Sequence, residues 1–340
     1  MTKAEFYRLM RLLPKSELHI HQEAVLSSKT IKNVFKRSYG RTMTKAEYDS
    51  LFAYDTFQGF LDSFIKIQSF FTDMNDLEFL FNDFSAYLED NNIVYCETFF
   101  SPTSHLRKGW DFQEMMSLVS NSIKQIKKNT GRIVKLIVDV SRSFGEENAM
   151  RNLDYVLAAN NPDIIGIGLG GNEATGPAKD FEQVFKKARK NGLHVVAHAG
   201  EICPSSSIKD TLHYLKAERI GHGISAAADE ELMKKLIKDR TPLEVCPTSN
   251  VFTKKIVTEM KEHPIRKLFD AGVNVSINTD DPTFFKVSLI DEYWNLYKYM
   301  NFSLEEIKQL IKNGFNSLFI SDAKKKSYCS QLEKAWKQFF

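Results

Sequence analysis

Short apolar runs rich in β-branched residues recur along the chain, and most of them end in a cluster of polar residues. Such runs are typical of strands buried in a parallel sheet. Amphipathic stretches separate them, and residues 180–192 place Phe181, Val184, Phe185 and Ala188 on one helical face. The pattern predicts eight strands, at residues 17–24, 93–102, 134–141, 164–173, 193–201, 219–225, 242–250 and 273–282.

The alternation of strands and helices predicts a parallel sheet, and eight such units predict a closed (β/α)8 TIM-type barrel. In that fold the catalytic residues lie at the carboxyl ends of the strands. Here those ends carry histidine, glutamate, aspartate, asparagine and glycine. A doubly wound open sheet is the alternative arrangement. Since barrels of this length fold as one unit, we expect residues 1–340 to form a single domain.

One interval breaks the regular spacing of strands. Residues 22–92, between the first two strands, contain much of the aromatic content of the chain, which has 26 phenylalanines in total. Phe57, Phe60 and Phe64 recur with the period of an amphipathic helix, and residues 77–88 repeat that pattern. We expect a helical lid insertion over the barrel mouth, with Phe60 and Phe64 facing the substrate. Ordinary helix packing is the alternative for each single phenylalanine.

Charge and cysteine content exclude several classes of protein. Lysine plus arginine number 46 and aspartate plus glutamate 43, so the net charge of +3 produces no strong attraction to nucleic acid or membrane. Four widely spaced cysteines exclude a disulfide scaffold and a cysteine zinc knuckle. Glu5 and Arg8 interrupt the segment where a signal peptide would be apolar. We therefore expect a cytoplasmic protein that acts on a small molecule, without a nucleic-acid or membrane partner.

Histidines and a carboxylate at several strand ends indicate a metal site. His19 and His21 are two residues apart on a predicted strand, so both side chains face the barrel interior. His198, His222 and Asp280 end three other strands. Three histidines and one carboxylate suit Zn²⁺, so the sequence predicts one zinc ion per chain. The alternative for each residue by itself is a hydrogen-bonded polar side chain at the barrel rim.

Two further acidic residues and a glycine-rich segment have the positions of substrate groups. Glu201 follows the fifth strand and is a candidate proton donor, while Asp281 must point away from the direction of Asp280, toward a substrate. The segment 164–173 formally contains a GxGxxG pattern, but no helix follows it directly, which argues against a dinucleotide site. We interpret Gly170–Gly171 instead as a place where a flat ligand lies against the backbone.

Five motifs, PKSELHIH, HAGE, ERIGHG, LEVCPTSN and INTDDP, stand in an order and spacing that resemble the adenosine deaminase family of the amidohydrolase superfamily. The similarity extends from Pro14 to about Tyr293. It implies a (β/α)8 barrel and an enzyme of purine metabolism. It also implies one Zn²⁺ ion held by His19, His21, His198 and Asp280.

The resemblance further implies a reaction and a role for each remaining candidate. Adenosine, and also deoxyadenosine, would be hydrolysed to the inosine product plus ammonia by attack of a zinc-bound hydroxide on purine C6. Glu201 would protonate N1, and His222 would orient and activate the zinc water. Asp281 would contact N7, and the backbone of Gly171 would contact N3.

One departure from the family pattern affects the substrate. Family members usually follow the HxH motif with Leu-Asp-Gly, whose aspartate holds the ribose 5′-hydroxyl, whereas this chain has Gln22-Glu23-Ala24. Glu23 keeps a carboxylate there and resembles adenine deaminases, while the segment 168–177 and the HAGE motif resemble bacterial adenosine deaminases and aminodeoxyfutalosine deaminases. Adenosine is therefore the expected substrate, with adenine or aminodeoxyfutalosine as the alternative.

Two other functions remain open. One is a non-catalytic, metal-stabilised barrel used for binding, and the other is amide or phosphoester hydrolysis on the same fold. A non-catalytic relative would be expected to have lost a metal ligand or the Glu201 carboxyl, and both are present.

Overall fold

The computed structural model describes residues 1–339 and contains eight parallel strands that are hydrogen-bonded in chain order. Their bounds are β1 (Lys15–Glu17), β2 (Ile93–Phe100), β3 (Ile133–Ser141), β4 (Ile164–Gly170), β5 (His194–Ala199), β6 (Arg219–His222), β7 (Leu243–Val245) and β8 (Val275–Ile277). All eight predicted strands are present, but the first is displaced, because Lys15–Glu17 shares only Glu17 with the predicted residues 17–24. Several are shorter than predicted, because the polar residues at their ends belong to the loops that form the barrel mouth.

The barrel closes between the segments that follow β1 and β8. The N–H of His21 donates to the carbonyl of Asp280 at 2.9 Å, and the N–H of Asp280 donates to the carbonyl of His19 at 3.0 Å. Below them, the side-chain oxygen of Asn278 accepts the N–H groups of Leu18 and His19. These bonds join the two ends of the sheet, so the (β/α)8 prediction is confirmed and the open sheet is excluded.

Helices surround the strands, and their starts follow local sequence rules. Thr2 and Ser303, for example, form capping boxes with the glutamates three residues later. Among residues 1–339, no helix combines the length and the apolar composition needed to cross a bilayer. The helices are α1 (Lys3–Leu12), α2 (Ser28–Tyr39), α3 (Lys45–Ser50), α4 (Phe57–Ser69), α5 (Leu77–Asp90), α6 (Thr103–Leu106), α7 (Phe112–Thr130), α8 (Gly145–Ala159), α9 (Glu182–Lys190), α10 (Ser205–Asp210), α11 (Glu230–Asp239), α12 (Pro247–Thr253), α13 (Ile265–Asp270), α14 (Pro282–Phe285), α15 (Leu289–Tyr299), α16 (Leu304–Ser317) and α17 (Asp322–Phe339).

The segment between β1 and β2 contains α2 to α5, and these helices have different places in the fold. Helix α5 packs beside α7 and occupies the position of a barrel helix. Helix α4 instead packs against the loop helices at the mouth. The ring of Phe60 lies 5.5 Å from that of Phe284 and 5.1 Å from that of Phe285, and Phe64 lies 5.4 Å from Phe284. The residues after β8 are therefore covered by α4, while contact of Phe60 or Phe64 with a substrate stays a prediction.

Candidate metal centre and active site

The closure of the barrel brings the predicted metal ligands together. Asp280 Oδ1 lies 3.4 Å from His19 Nε2 and 3.3 Å from His21 Nε2. His198, on β5, completes the group, with its ring centroid 4.4 Å from that of His19. One possible ligand atom from each of the four residues lies within 4.8 Å of the others. This is the arrangement that a single small cation requires.

Hydrogen bonds on the far side of two imidazoles orient them for metal binding. His19 Nδ1 lies 2.9 Å from Glu244 Oε2, so the ring donates to the carboxylate and presents its Nε2 to the other candidate ligands. That Nε2 is buried and has no hydrogen-bond partner within residues 1–339. His198 Nδ1 lies 3.2 Å from the carbonyl of Leu169, which leaves the other nitrogen of this ring free as well. Metal-ligating histidines show this pattern, so the residues present fit a bound divalent cation.

Two residues of the site have a left-handed backbone although neither is glycine. Asp280 has φ 65° and His222 has φ 59°. This conformation costs about 1–2 kcal/mol for an ordinary residue, and functional sites are where such strain is found. Ser249 Oγ donates to Asp280 Oδ2 at 2.7 Å, which leaves Oδ1 facing the histidines. The surrounding fold therefore holds Asp280 in the orientation of a ligand.

The protein groups of this centre form a charge arrangement that a cation would complete. Burial opposes a charged imidazole, but the carboxylates of Asp280 and Glu244 outweigh it and raise the pKa of His19 to about 9. Burial is likewise outweighed at His21, whose pKa is raised to about 10 by Asp281 and Asp280. The carboxylates thus attract two protons onto the imidazoles. A divalent cation bound among the same groups would replace that positive charge and release the protons.

Glu201 lies in the turn after β5, and the structure buries it rather than exposing it as a solvated loop residue. Its Oε2 is 3.7 Å from His222 Nε2. Burial, together with the charges of Asp280 and Glu173, raises the pKa of Glu201 well above its usual range. Burial and Asp280 have the same effect on the pKa of Asp281. Two carboxyl groups that can donate hydrogen bonds therefore lie beside the metal centre.

Glu173 is a site residue to which the sequence analysis assigned no role. Its carboxylate accepts the backbone N–H groups of residues 200–203 and the hydroxyl of Ser207, with 3.2 Å to the N–H of Glu201. Successive N–H groups around an anion form a nest that fixes a turn. Glu173 therefore determines the shape of the turn that carries Glu201. The available signal was its position three residues after the end of β4, at the same rim as the other site residues.

A second acidic group lies on the other side of the site. Glu23 is buried, and its Oε1 accepts the N–H of Ser101 at 2.6 Å, while its Oε2 has no partner in the described chain. Ser101 Oγ is 3.5 Å from Oδ2 of Asp139, at the end of β3, which the sequence analysis also missed. A Cβ atom at Gly170 would lie 2.7 Å from that oxygen. Gly170 therefore makes room for Asp139, and its contact with a ligand stays a prediction.

Gly171 has a different constraint. Its φ is +87°, and a Cβ atom there would lie 2.9 Å from Ser141 Oγ, so both conformation and space require glycine. Contact of its backbone with purine N3 stays a prediction. The preceding glycines lie within β4, and the next helical turn begins only at Ala178. The structure thus agrees with the argument against a dinucleotide fingerprint.

Comparison with known proteins extends the likeness over nearly the whole chain. A family model described as adenosine deaminase matches residues 14–335. An adenine deaminase from Acinetobacter baylyi is 32% identical over 328 residues, covering 96% of this chain and 98% of the relative. A solved adenine deaminase from Arthrobacter aurescens has 29% identity and a TM-score of 0.90, covering 96% of this chain and 99% of that one. An amidohydrolase from Burkholderia ambifaria, solved with bound zinc, shares the fold with a TM-score of 0.92 at 23% identity, covering 100% and 95%.

These comparisons correct the expected substrate. Adenosine was the wrong prediction, because the relatives from Acinetobacter baylyi, Psychrobacter cryohalolentis and Rhizobium etli, and the solved Arthrobacter protein, are all adenine deaminases. The physical reason is that the five motifs carry the candidate metal ligands and the residues expected to contact the purine ring. Adenine and adenosine share that ring, so the motifs could not distinguish a free base from its nucleoside. The matched residues 14–335 and the relatives at 32% identity show that this chain belongs to the adenosine deaminase family.

Proposed function

We propose that the protein is a zinc-dependent aminohydrolase that converts adenine and water to hypoxanthine and ammonia. The observation that carries the proposal is the convergence of four potential metal ligands with the buried carboxyl of Glu201. The similarity to several adenine deaminases, over almost the full length of the chain, supports adenine as the substrate.

The metal would be held by His19, His21, His198 and Asp280. Three imidazole nitrogens and one carboxylate oxygen are a ligand set that zinc favours. When bound, the ion would supply Lewis-acid activation of a water molecule at neutral pH.

The carboxyl groups of the chain account for the remaining chemistry. Glu201 donates a proton to N1, which withdraws electron density from C6 and makes that carbon more electrophilic. Asp281 donates a hydrogen bond to N7 and holds the ring in place. The oxygen of water forms a bond to C6, the bond from C6 to the exocyclic nitrogen breaks, one water proton leaves with ammonia, and the other returns to Glu201. N1 keeps its proton in the lactam form of hypoxanthine, so the reaction balances.

Glu23 provides a physical basis for choosing the free base. Adenine carries an N9–H donor, whereas in a nucleoside that nitrogen is bonded to the sugar. Glu23 has a buried carboxylate oxygen without a partner in the described chain, and this oxygen can accept the N9–H bond. A sugar would have to displace the cluster of Glu23, Ser101 and Asp139. The family resemblance, in which an aspartate at this place holds the ribose, supports a position of Glu23 on that side of the purine.

Ammonia release from four substrates tests the proposal. Zinc-loaded protein, with zinc content checked by metal analysis, is assayed with adenine, adenosine, deoxyadenosine and aminodeoxyfutalosine. We expect kcat/KM for adenine to exceed the others by about 10²-fold or more, because an unpaired buried carboxylate disfavours substrates that lack the donor. Absence of ammonia release from adenine, or a preference for any of the nucleosides, would refute the proposal.

A pair of variants tests the role of Glu23. Glu23→Gln replaces one carboxylate oxygen, an acceptor, with an NH₂ group, which only donates. The substitution is expected to raise KM for adenine. Glu89→Gln, at an exposed position of α5, makes the same chemical change outside the site and should leave both kcat and KM for adenine unchanged. Equal KM values for the two variants would contradict the assignment.

A further inference from the structure

A buried chain of hydrogen bonds runs from the backbone to the far side of His222. The N–H of Ile265 donates to His263 Nδ1 at 3.1 Å. His263 Nε2 lies 3.2 Å from Asn250 Oδ1, and Asn250 Nδ2 lies 3.0 Å from His222 Nδ1. All three side chains are buried. These hydrogen bonds connect the segment before α13, through α12, to the end of β6.

The bond from the N–H of Ile265 determines which atom donates in each of the hydrogen bonds that follow. A backbone N–H can only donate, so His263 Nδ1 must be a bare acceptor and the ring proton must be on Nε2. His263 is then the donor to Asn250 Oδ1, which turns the amide NH₂ toward His222. His222 Nδ1 must accept that bond, so the proton of the neutral His222 ring is on Nε2. Burial lowers the pKa of His263 to about 3, which agrees with its neutral form.

The protonated nitrogen of His222 faces the centre of the site. His222 Nε2 lies 3.7 Å from Glu201 Oε2 and 3.9 Å from Asp280 Oδ2, and it has no hydrogen-bond partner among residues 1–339. A nitrogen that carries a proton cannot bind a metal, although His222, Cys246 and Asp280 are close enough to form a second possible ligand group. It also cannot take a proton from water. It can donate a hydrogen bond to an oxygen.

We propose that Asn250 and His263 are positioning residues that hold His222 as the Nε2–H tautomer, so that His222 donates a hydrogen bond to the oxygen that adds to C6. The tautomer follows from the geometry alone, whereas its catalytic use rests on the proposed function. As a donor, His222 stabilises the negative charge left on that oxygen as the water loses its protons. This role differs from removal of a proton from water, which requires the opposite tautomer.

Nitrogen NMR of the zinc-loaded protein tests the tautomer directly. The chain has eight histidines, so selective ¹⁵N labelling of histidine gives a tractable spectrum, and the signals lost in His222→Gln identify those of His222. We expect a protonated Nε2 and a bare Nδ1. Asn250→Asp retains the shape of the side chain but presents only acceptor oxygens to His222, so it should move the proton to Nδ1.

The kinetic prediction concerns the same variant. With the wrong tautomer, kcat for adenine should fall by roughly 10²-fold to 10⁴-fold, as when a catalytic histidine is held in the wrong tautomer by such a substitution. Asn121→Asp, at an exposed position of α7, is the matched control and should change neither the spectrum of His222 nor kcat.

A second pair of variants involves no change of charge, and it decides the question if Asn250→Asp does not fold. His263→Phe removes the donor to Asn250, which leaves the amide free to rotate, so His222 should show a mixture of tautomers and a lower kcat. His263→Gln restores an N–H donor near the same place and should recover most of the Nε2–H form and of kcat. Equal spectra and equal kcat for this pair would contradict the role of His263.

The inference is overturned if His222 in the wild-type protein is protonated on Nδ1, or if Asn250→Asp keeps both the Nε2–H tautomer and a normal kcat. Failure of the proposed function gives a different result. In that case zinc-loaded protein releases no ammonia from adenine, while the wild-type and Asn250→Asp spectra still show the expected opposite tautomers. That result supports the assigned hydrogen bonds from His263 through Asn250 to His222.

Discussion

Replacement of Glu173 by glutamine should both destabilise the protein and impair catalysis. The buried carboxylate accepts four backbone N–H groups of the turn at residues 200–203 and the hydroxyl of Ser207. Glutamine has nearly the same shape but only one acceptor oxygen, and its NH₂ group would face donors. The substitution therefore removes the negative charge of the nest with little change of volume.

The magnitude follows from how many bonds one oxygen can keep. Glu173 Oε2 accepts the N–H groups of Glu201, Ile202 and Cys203, and a glutamine carbonyl can occupy this position. The N–H of Gly200 then loses Oε1 but still has Ser207 Oγ at 3.0 Å. The remaining cost is the weakening of charge-assisted hydrogen bonds. We expect it to lower the free energy of unfolding by about 3 kcal/mol. Displacement of Glu201 by about 1 Å should lower kcat by about 10²-fold.

The assay combines urea unfolding with ammonia release from adenine, both on zinc-loaded protein. Glu89→Gln is the control, because it makes the same chemical change at an exposed position. The proposed role of Glu173 would be refuted if the free energy of unfolding fell by less than about 0.5 kcal/mol and kcat stayed within about twofold of wild type. Surface substitutions produce changes in stability of that size.

Four further predictions concern separate parts of the molecule. Glu201→Gln should bind adenine but lose about 10²-fold to 10⁴-fold in kcat, and near-normal turnover would exclude Glu201 as the proton donor. Glu244→Gln should weaken zinc binding by about 10-fold to 100-fold in chelator competition, because it removes the charge behind a ligating imidazole. Replacing Phe60 or Phe64 with alanine should raise KM more than it lowers kcat in steady-state assays, and the opposite ratio would argue against contact with substrate. Burial raises the pKa of Glu292 to about 8 from 4.5, so its contribution to stability is complete below pH 4.5 and is lost as the pH rises through 8. Glu292→Gln should therefore gain stability relative to wild type across that interval in urea titrations, and a constant difference would contradict the pKa.

Local patterns in the sequence were sufficient to predict the barrel and to single out its candidate metal ligands. The spacing of His19 and His21 depends only on the alternation of side chains along an extended chain, and His198 and Asp280 were recognisable as polar residues at the ends of apolar runs. In a parallel barrel all such ends lie at one rim, so their convergence followed from the fold class. The structure brings together the four residues that the family resemblance had named.

The substrate could not be predicted in the same way. The five motifs carry the candidate metal ligands and Glu201, and adenine and adenosine share the purine ring on which these residues are proposed to act. The proposed choice of the free base rests on Glu23, which follows β1 and lies beside Ser101, after β2, and Asp139, in β3. Gly170 illustrates the problem, because its missing side chain suggested a ligand and also makes room for the Asp139 carboxylate.

The barrel, the rim on which the site lies and the identity of the candidate ligands could therefore be predicted from the sequence, because these features depend on short-range periodicity and on strand direction. The protonation and orientation of those side chains depend instead on how distant segments pack in three dimensions. Glu244 lies 225 positions from the imidazole that it orients, and the turn of Glu201 is held by a carboxylate from another strand end. His222 receives its tautomer from a backbone N–H through two further residues. Such contacts depend on the three-dimensional packing of distant segments, and no local spacing in the chain encodes them.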